Sequence, residues 1–195
     1  MKIVSVQFDD IPCVAVFDAL FRIGFGNGDD TPDSKLIAED LGFLTEEVFQ
    51  MRDQGGLPGM KVLQFAFDSR EPSAYLPYLY PVNSVCYTGT HDNMTTRQWF
   101  ETASSDAVAY ATEYMALSEH EGLVWGTIRT AMASVSDLCV IPMQDYLNLG
   151  AEARMNFPGT QSAANWTWRA YDGFADCALA EKIYHLTCLY GRQGE

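Results

Sequence analysis

The sequence predicts an α/β fold with about four parallel strands and covering helices. Three observations carry that expectation. Short apolar runs alternate with longer helical patterns, the order that a parallel sheet with crossover helices imposes. Three of the four candidate strands end in a carboxylate, and loops beyond the carboxyl ends of such strands converge on one crevice. Apolar residues make up 48% of the chain and charged residues 19%, which supplies a core and is far from a disordered composition. Four strands with their helices are half of an eight-stranded barrel or a whole open sheet. At 195 residues the chain has the length of one ordinary domain and less than the roughly 250 residues typical of a complete barrel. Composition does not separate the two.

In chain order, Val14 to Ile23 is the first helix candidate, with Phe17, Leu20 and Phe21 on one face, and the glycine-rich Gly24 to Gly28 stops it. Lys35 to Ala38 reads as the first strand and runs into Glu39-Asp40-Leu41-Gly42. Thr45 is placed to cap the next helix, with Glu46 and Glu47 at the positive end of its dipole and Leu44 positioned to staple against Phe49. Gly55-Gly56 ends that helix, and Pro58-Gly59 turns the chain into a second strand over Lys61 to Phe67. A Pro- and Tyr-rich loop from Asp68 to Asn83 has the length of a functional or mobile segment. Ser84 to Thr88 is the third strand and leads into Gly89-Thr90-His91-Asp92-Asn93. Helical patterns follow at about Thr95 to Ala103, Ser105 to Leu117 and Leu123 to Val135. Leu138 to Pro142 is the fourth strand, ending at Gln144-Asp145; a polar, aromatic loop from Glu152 to Arg169 and a helix from about Phe174 to Tyr190 close the chain.

Acidic residues number 26 against 12 basic ones, a formal charge of −14. That balance opposes attraction to nucleic acid or anionic membrane. Five scattered cysteines, with no paired spacing for zinc, fit a reducing, cytoplasmic setting, and most sit in apolar strings as buried, inert thiols. Neither a secretory leader nor an apolar run of membrane-spanning length is expected.

Carboxylates gathered from separate strand ends suit glycosidic chemistry, in which one acid protonates the leaving oxygen and others stabilise positive charge on the sugar ring. The competing reading is a helix cap or an ion pair with an arginine. Asp145 is read that way, and for Asp40 both readings stand. Glu39 and Asp92 are the stronger chemical candidates: Glu caps helices poorly, and Asp92 sits in a dense polar cluster with Thr90, His91 and Asn93. Trp166 and Trp168, interleaved with polar residues, read as a binding surface. For Tyr75, Tyr78 and Tyr80 core and binding remain open.

Three stretches then carry a resemblance: Ile37 to Gly42, Leu57 to Phe67, and Tyr87-Thr88-Gly89-Thr90-His91-Asp92-Asn93. With Ala151-Glu152-Ala153-Arg154-Met155-Asn156, Phe157-Pro158-Gly159-Thr160 and Asn165-Trp166-Thr167-Trp168-Arg169, they resemble, in the same order, the 4-alpha-glucanotransferases of glycoside hydrolase family 77, the amylomaltases and plant disproportionating enzymes. The resemblance runs from about residue 16 to residue 169. It leaves residues 1–15 divergent and residues 170–195 as a C-terminal helix.

The resemblance implies a (β/α)8 TIM-type barrel of which residues 1–195 are one incomplete catalytic domain, the C-terminal half. It implies transfer of an α-1,4-glucan segment to the 4-hydroxyl of another glucan or of glucose by a retaining mechanism, without metal or organic cofactor. On the matching positions Glu39 is the acid/base, Asp92 the third carboxylate, and His91 a holder of the donor sugar. Asn93, Asn156, Pro158, Gly159, Asn165 and Trp166 are the further substrate-binding positions. Two departures lie within the motifs or before them: Met94 stands where the family has an acidic residue, and residues 1–15 do not match. A third is chemical, because the arginine-isoleucine-aspartate-histidine run that bears the family's nucleophile is absent. The expectation is therefore a chain with little or no transferase activity by itself. The alternative is a non-catalytic half-barrel that binds glucan or pairs with another chain, since open sheet edges favour self-association.

Overall fold

The computed structural model describes residues 36–42, 44–67 and 73–193. The helix expected at residues 14–23, together with Cys13, lies outside them. The chain divides into two compact units, Met1–Met60 and Lys61–Glu195, and each is described by itself.

In the first unit, the strand expected at Lys35 to Ala38 is not formed by its described residues. The Ala38 N–H donates to the Pro58 carbonyl at 3.0 Å, and the buried Asp40 carboxylate accepts the Met60 N–H at 2.7 Å. The segment is thus held to residues 58–60 through one main-chain and one side-chain bond instead of a ladder. Helix α1 spans Glu46–Gln54 and ends at Gly55. Thr45 occupies the cap position, but its side chain accepts no backbone N–H. It bonds the Glu47 carboxylate instead, which holds that carboxyl below its ordinary range. Arg52, over the Phe49 ring at 5.3 Å, pairs with Asp40 and Asp53.

Gly59 is required here by proximity. A Cβ at this position would overlap the Asp40 carboxylate and lie 2.7 Å from the Arg52 guanidinium. Gly59→Ala is therefore expected to destabilise the fold by about 1–3 kcal/mol, the usual cost of overpacking, read as a lower urea midpoint.

Strand β1, Gly59–Val62, crosses the boundary between the units, its Lys61 and Val62 belonging to the second. The strand expected over Lys61 to Phe67 stops at Val62 and becomes a 3-10 turn, Leu63–Phe67. The reason lies in what must be buried. Leu63, Gln64, Ala66 and Phe67 all point inward while Phe65 is exposed, a pattern that period-two alternation cannot satisfy. Within the long loop, Pro77–Leu79 forms another 3-10 turn. Strand β2, Ser84–Tyr87, and strand β3, Leu138–Val140, complete a sheet of order β1-β2-β3 among the described residues. Three described strands thus stand where four were expected.

Strands β2 and β3 are parallel, with Val85 opposite Leu138, Cys86 opposite Cys139 and Tyr87 opposite Val140. Between them run α2 (Thr96–Thr102), α3 (Ser105–Tyr114) and α4 (Leu123–Met132). Thr95 and Ser104 cap α2 and α3 by accepting the N–H groups of Gln98 and Ala107. On α4, Val124, Thr127, Ile128 and Ala131 are buried at helical spacing. Beyond β3 come α5 (Met143–Tyr146), a 3-10 turn at Ala151–Ala153 and α6 (Cys177–Leu189), capped by Asp176.

The core of this unit gathers Leu63, Ala66, Phe67, Tyr80, Cys86, Ala111, Met115 and Ala131. Tyr80 is therefore core, Tyr75 packs edge-on against Phe65, and Tyr78 is exposed. Strand side chains alternate between faces, so Cys86 and Cys139 share the helix-covered face. On the other face Leu138 and Val140 are 52% and 44% exposed. Parallel sheets ordinarily cover both faces, and this exposed apolar pair is what a partial barrel presents. Of the described cysteines only Cys86 is buried; Cys139 and Cys188 are half-buried and Cys177 is exposed, so the expectation of mostly buried thiols is met by Cys86 alone.

Candidate active site

Strand β2 delivers the chain into a tight polar turn. The Asn93 Oδ1 accepts both the N–H and the hydroxyl of Thr90 at 2.8 Å, and the Asn93 N–H returns to the Thr90 carbonyl at 3.2 Å. Asn93 thus closes the turn that projects His91 and Asp92. Their side chains are 57% and 47% exposed, with His91 Nε2 3.3 Å from Asp92 Oδ1.

Two groups fasten this turn from beneath. The buried Gln64 donates from its backbone N–H to the Thr88 carbonyl at 3.3 Å and from its side chain to the Met94 carbonyl at 2.8 Å. It is the main-chain oxygen of Met94 that is used, so the unusual side chain there leaves this bond intact. A Cβ on Gly89 would lie 2.6 Å from the Gln64 amide. Asp145, fully buried, accepts from the Thr88 hydroxyl at 2.5 Å and from the N–H and hydroxyl of Thr96, both at 2.8 Å. It ties the end of β2 to the start of α2, and burial pushes its carboxyl above the ordinary range despite those three donors.

The loop after α5 comes back to the same turn. Arg154 donates to the Asp92 carbonyl and to the Asn156 carbonyl, both at 2.9 Å, and lies 4.4 Å over the Phe157 ring. The Asn156 amide donates to Asp92 Oδ1 at 2.6 Å. Asn165 closes the loop on itself, accepting the Phe157 N–H and donating to Thr160, each at 3.2 Å. Pro158 and Gly159 form its exposed tip, Gly159 with φ +73°.

Trp166 has φ +64°, a left-handed backbone that a bulky residue adopts at a cost. Its N–H bonds the Met155 carbonyl at 2.7 Å and its carbonyl accepts from Arg169 at 3.1 Å. Held in this way, the indole lies 5.0 Å from the His91 ring and stays 54% exposed. Trp168 is half-buried. A cavity of about 120 Å³ opens between the turn, α5 and the loop, lined by Thr90, His91, Met94, Gln144, Arg154 and Met155 among others.

Eight of the expected positions therefore lie on two segments that the fold brings together: His91, Asp92 and Asn93 on the turn, and Asn156, Pro158, Gly159, Asn165 and Trp166 around the loop. Glu39 lies in the first unit, exposed, its Oε1 accepting the Leu41 N–H at 2.8 Å. Asp40 and Asp145 are structural, the first paired with Arg52 and the Met60 N–H and the second bound by buried donors. Sequence reasoning missed Arg154 and Gln64. Arg154 gave one weak signal, a cation set in a polar loop of an acidic chain; Gln64 gave none, because its burial follows from the 3-10 turn. Among the described residues no group of three or more His, Cys, Asp and Glu side chains could hold a metal ion, and no helix is long and apolar enough to cross a membrane.

The sequence profile of a family described as 4-alpha-glucanotransferase matches residues 14–173. The 4-alpha-glucanotransferase of Clostridium butyricum is 52% identical over 161 residues, 82% of this chain and 33% of the relative. A chloroplastic/amyloplastic 4-alpha-glucanotransferase of Arabidopsis thaliana is 39% identical over 184 residues, 93% of this chain and 31% of the relative. Among solved structures, an amylomaltase from Streptococcus agalactiae in complex with acarbose superposes with a TM-score of 0.84 at 32% identity, covering 96% of this chain and 37% of that one. The chain spans about a third of the length of the curated relatives it matches.

Proposed function

The chain belongs to the 4-alpha-glucanotransferase family, glycoside hydrolase family 77, and from that premise we propose that it supplies the acid/base and third-carboxylate part of a glucan-transferring site. The reaction is transfer of an α-1,4-glucan segment to the 4-hydroxyl of an acceptor glucan or of glucose. One observation carries this reading. A half-exposed carboxylate, Asp92, is held at 2.6 Å by Asn156 beside an exposed imidazole and indole, on two segments more than sixty residues apart. Such a group offers hydrogen-bond acceptors to sugar hydroxyls and an aromatic face to a pyranose ring.

In a retaining transfer a carboxylate attacks the anomeric carbon, an acid protonates the departing oxygen, and the acceptor hydroxyl reverses both steps. Glu39 takes the acid/base role. Asp92 grips hydroxyls of the distorted donor ring, His91 and Asn156 hold the same sugar, and Asn165 keeps Trp166 and the Pro158-Gly159 tip in place. Asn93 acts through the turn that aims His91 and Asp92. No residue here takes the nucleophile's role. The reducing, cytoplasmic setting expected from the cysteines belongs to the same proposal.

The 195-residue polypeptide incubated with maltotriose is expected to release little or no glucose and to build no longer maltodextrin; robust disproportionation overturns that expectation. Titration with acarbose is expected to change tryptophan fluorescence, with the change lost in Trp166→Ala. A flat titration of the wild-type chain removes the glucan-binding part of the reading. The second reading, a half-barrel that pairs with another chain or with itself, is favoured by the exposed Leu138 and Val140. A monomeric mass in solution at all concentrations would end it for self-association.

A further inference from the structure

We infer that Cys86 and Cys139 form a reversible redox couple that closes to a disulfide across β2 and β3. The inference rests on strand geometry and stands apart from the transferase reading. The two residues are direct register partners on adjacent parallel strands, so their side chains leave the sheet on the same face. They also pack against one another in the helix-covered core. Neighbouring strands lie about 4.8 Å apart, within the range of Cα separations that a disulfide spans. The other described cysteines, Cys177 and Cys188, are on α6.

The surroundings divide the roles of the two sulfurs. A hydrogen bond from Cys139 holds the Cys86 thiol below the ordinary cysteine range, against burial, and Ser134 and the Arg192 charge act in the same sense. The Cys139 thiol is correspondingly held up by Cys86 and by burial. Cys86 is thus the more nucleophilic member, and the half-buried Cys139 keeps its proton.

Hydrogen peroxide, small and uncharged, is the oxidant. The Cys86 thiolate attacks one peroxide oxygen, the O–O bond breaks, and hydroxide leaves a sulfenic acid on Cys86. The Cys139 sulfur then attacks the Cys86 sulfur, the S–S bond forms, and the S–OH oxygen departs as water with the Cys139 proton. In sum, two thiols lose two electrons and two protons, and one peroxide becomes two waters. The bond would clamp together the two strands whose carboxyl ends carry the Asp92 turn and the Gln144-Asp145 segment.

The test is peroxide treatment of the folded chain, removal of peroxide with catalase, alkylation under denaturing conditions, and peptide mass mapping without reductant. A peptide pair joining Cys86 to Cys139, two hydrogens lighter than the free peptides and separated by dithiothreitol, is expected in monomeric protein. Exposed Cys177 serves as the internal control that oxidant acted. Oxidation of Cys177 with Cys86 and Cys139 both fully alkylated overturns the inference, as does a Cys86–Cys139 link found only between two copies. In Cys139→Ser, Cys86 is expected to be trapped by dimedone as the sulfenic acid; absence of the adduct in that variant overturns the assigned order of attack.

Discussion

Asp145→Ala is expected to cost about 3–5 kcal/mol of stability, the range seen when one member of a buried, charged hydrogen-bonded group is removed. Three donors converge on this carboxylate: the Thr88 hydroxyl, the Thr96 hydroxyl and the Thr96 N–H. The hydroxyls can rotate toward other acceptors, but the N–H is fixed at the first turn of α2 and would be left buried and unpaired. Asp145→Asn keeps an acceptor for that N–H, and the threonine oxygens can accept from its amide, so it should cost less. Urea midpoints at constant m separate the two variants.

The pH dependence of that loss has a definite sign. Burial raises the Asp145 carboxyl above 3.8, so the native state keeps this proton to a higher pH than the unfolded chain does. Where the native state binds more protons, stability falls as pH rises. The contribution is greatest below 3.8 and diminishes as pH climbs through the raised native value. The deficit of Asp145→Asn relative to wild type should therefore shrink as pH rises from 3.8 through the raised native value. A deficit that grows over this interval would mean that the three donors outweigh burial.

Arg192→Ala is expected to cost about 2–4 kcal/mol, since hydrogen bonds from a charged donor are each worth about 1.5–3 kcal/mol and are not additive. Its guanidinium donates to the carbonyls of Met132 at 2.7 Å, Ser134 at 2.7 Å and Ser136 at 3.0 Å. These oxygens belong to the end of α4 and to the segment entering β3, where the helix leaves carbonyls without intrahelical partners. A planar fork reaches all three at once and an ammonium does not, so Arg192→Lys should recover less than half of the loss in thermal or urea unfolding. Full recovery by lysine would show that charge at the helix end, and not the fork, is what matters. Both variants also remove or weaken a cation that favours the Cys86 thiolate, and slower peroxide reaction of Cys86 is the accompanying readout.

Much of the helical layer was legible because its determinants are local. Thr96–Thr102, Ser105–Tyr114 and Leu123–Met132 each fall within the expected ranges, set by apolar spacing at a period of 3.6 residues. The strands were harder. Lys61 to Phe67 is apolar enough for a buried strand or a helical turn, and short apolar runs do not distinguish them; the need to bury Leu63, Gln64, Ala66 and Phe67 together decided for the turn. The described residues 36–38 form no strand for a related reason, since whether an extended segment becomes a strand depends on the partner it meets. Thr45 held the right position with the wrong partner, because the Glu47 carboxylate competes for its hydroxyl.

By itself the sequence determined the family and the residue types offered at the candidate site. Glu39, His91, Asp92, Asn156 and Trp166 lie in contiguous words whose order and residue types are a covalent property of the chain. Composition likewise fixed the acidic surface and the supply of core residues. Tertiary structure decided which of those groups are neighbours and which are scaffolding. It drew Asn156 and Arg154 onto Asp92 across more than sixty residues, set Trp166 in a strained backbone beside His91, and put Cys86 opposite Cys139. It also buried Asp145 under three donors while leaving Asp92 half in water. Those distinctions depend on burial and on contacts between distant segments, and neither is encoded by any short stretch of residues taken alone.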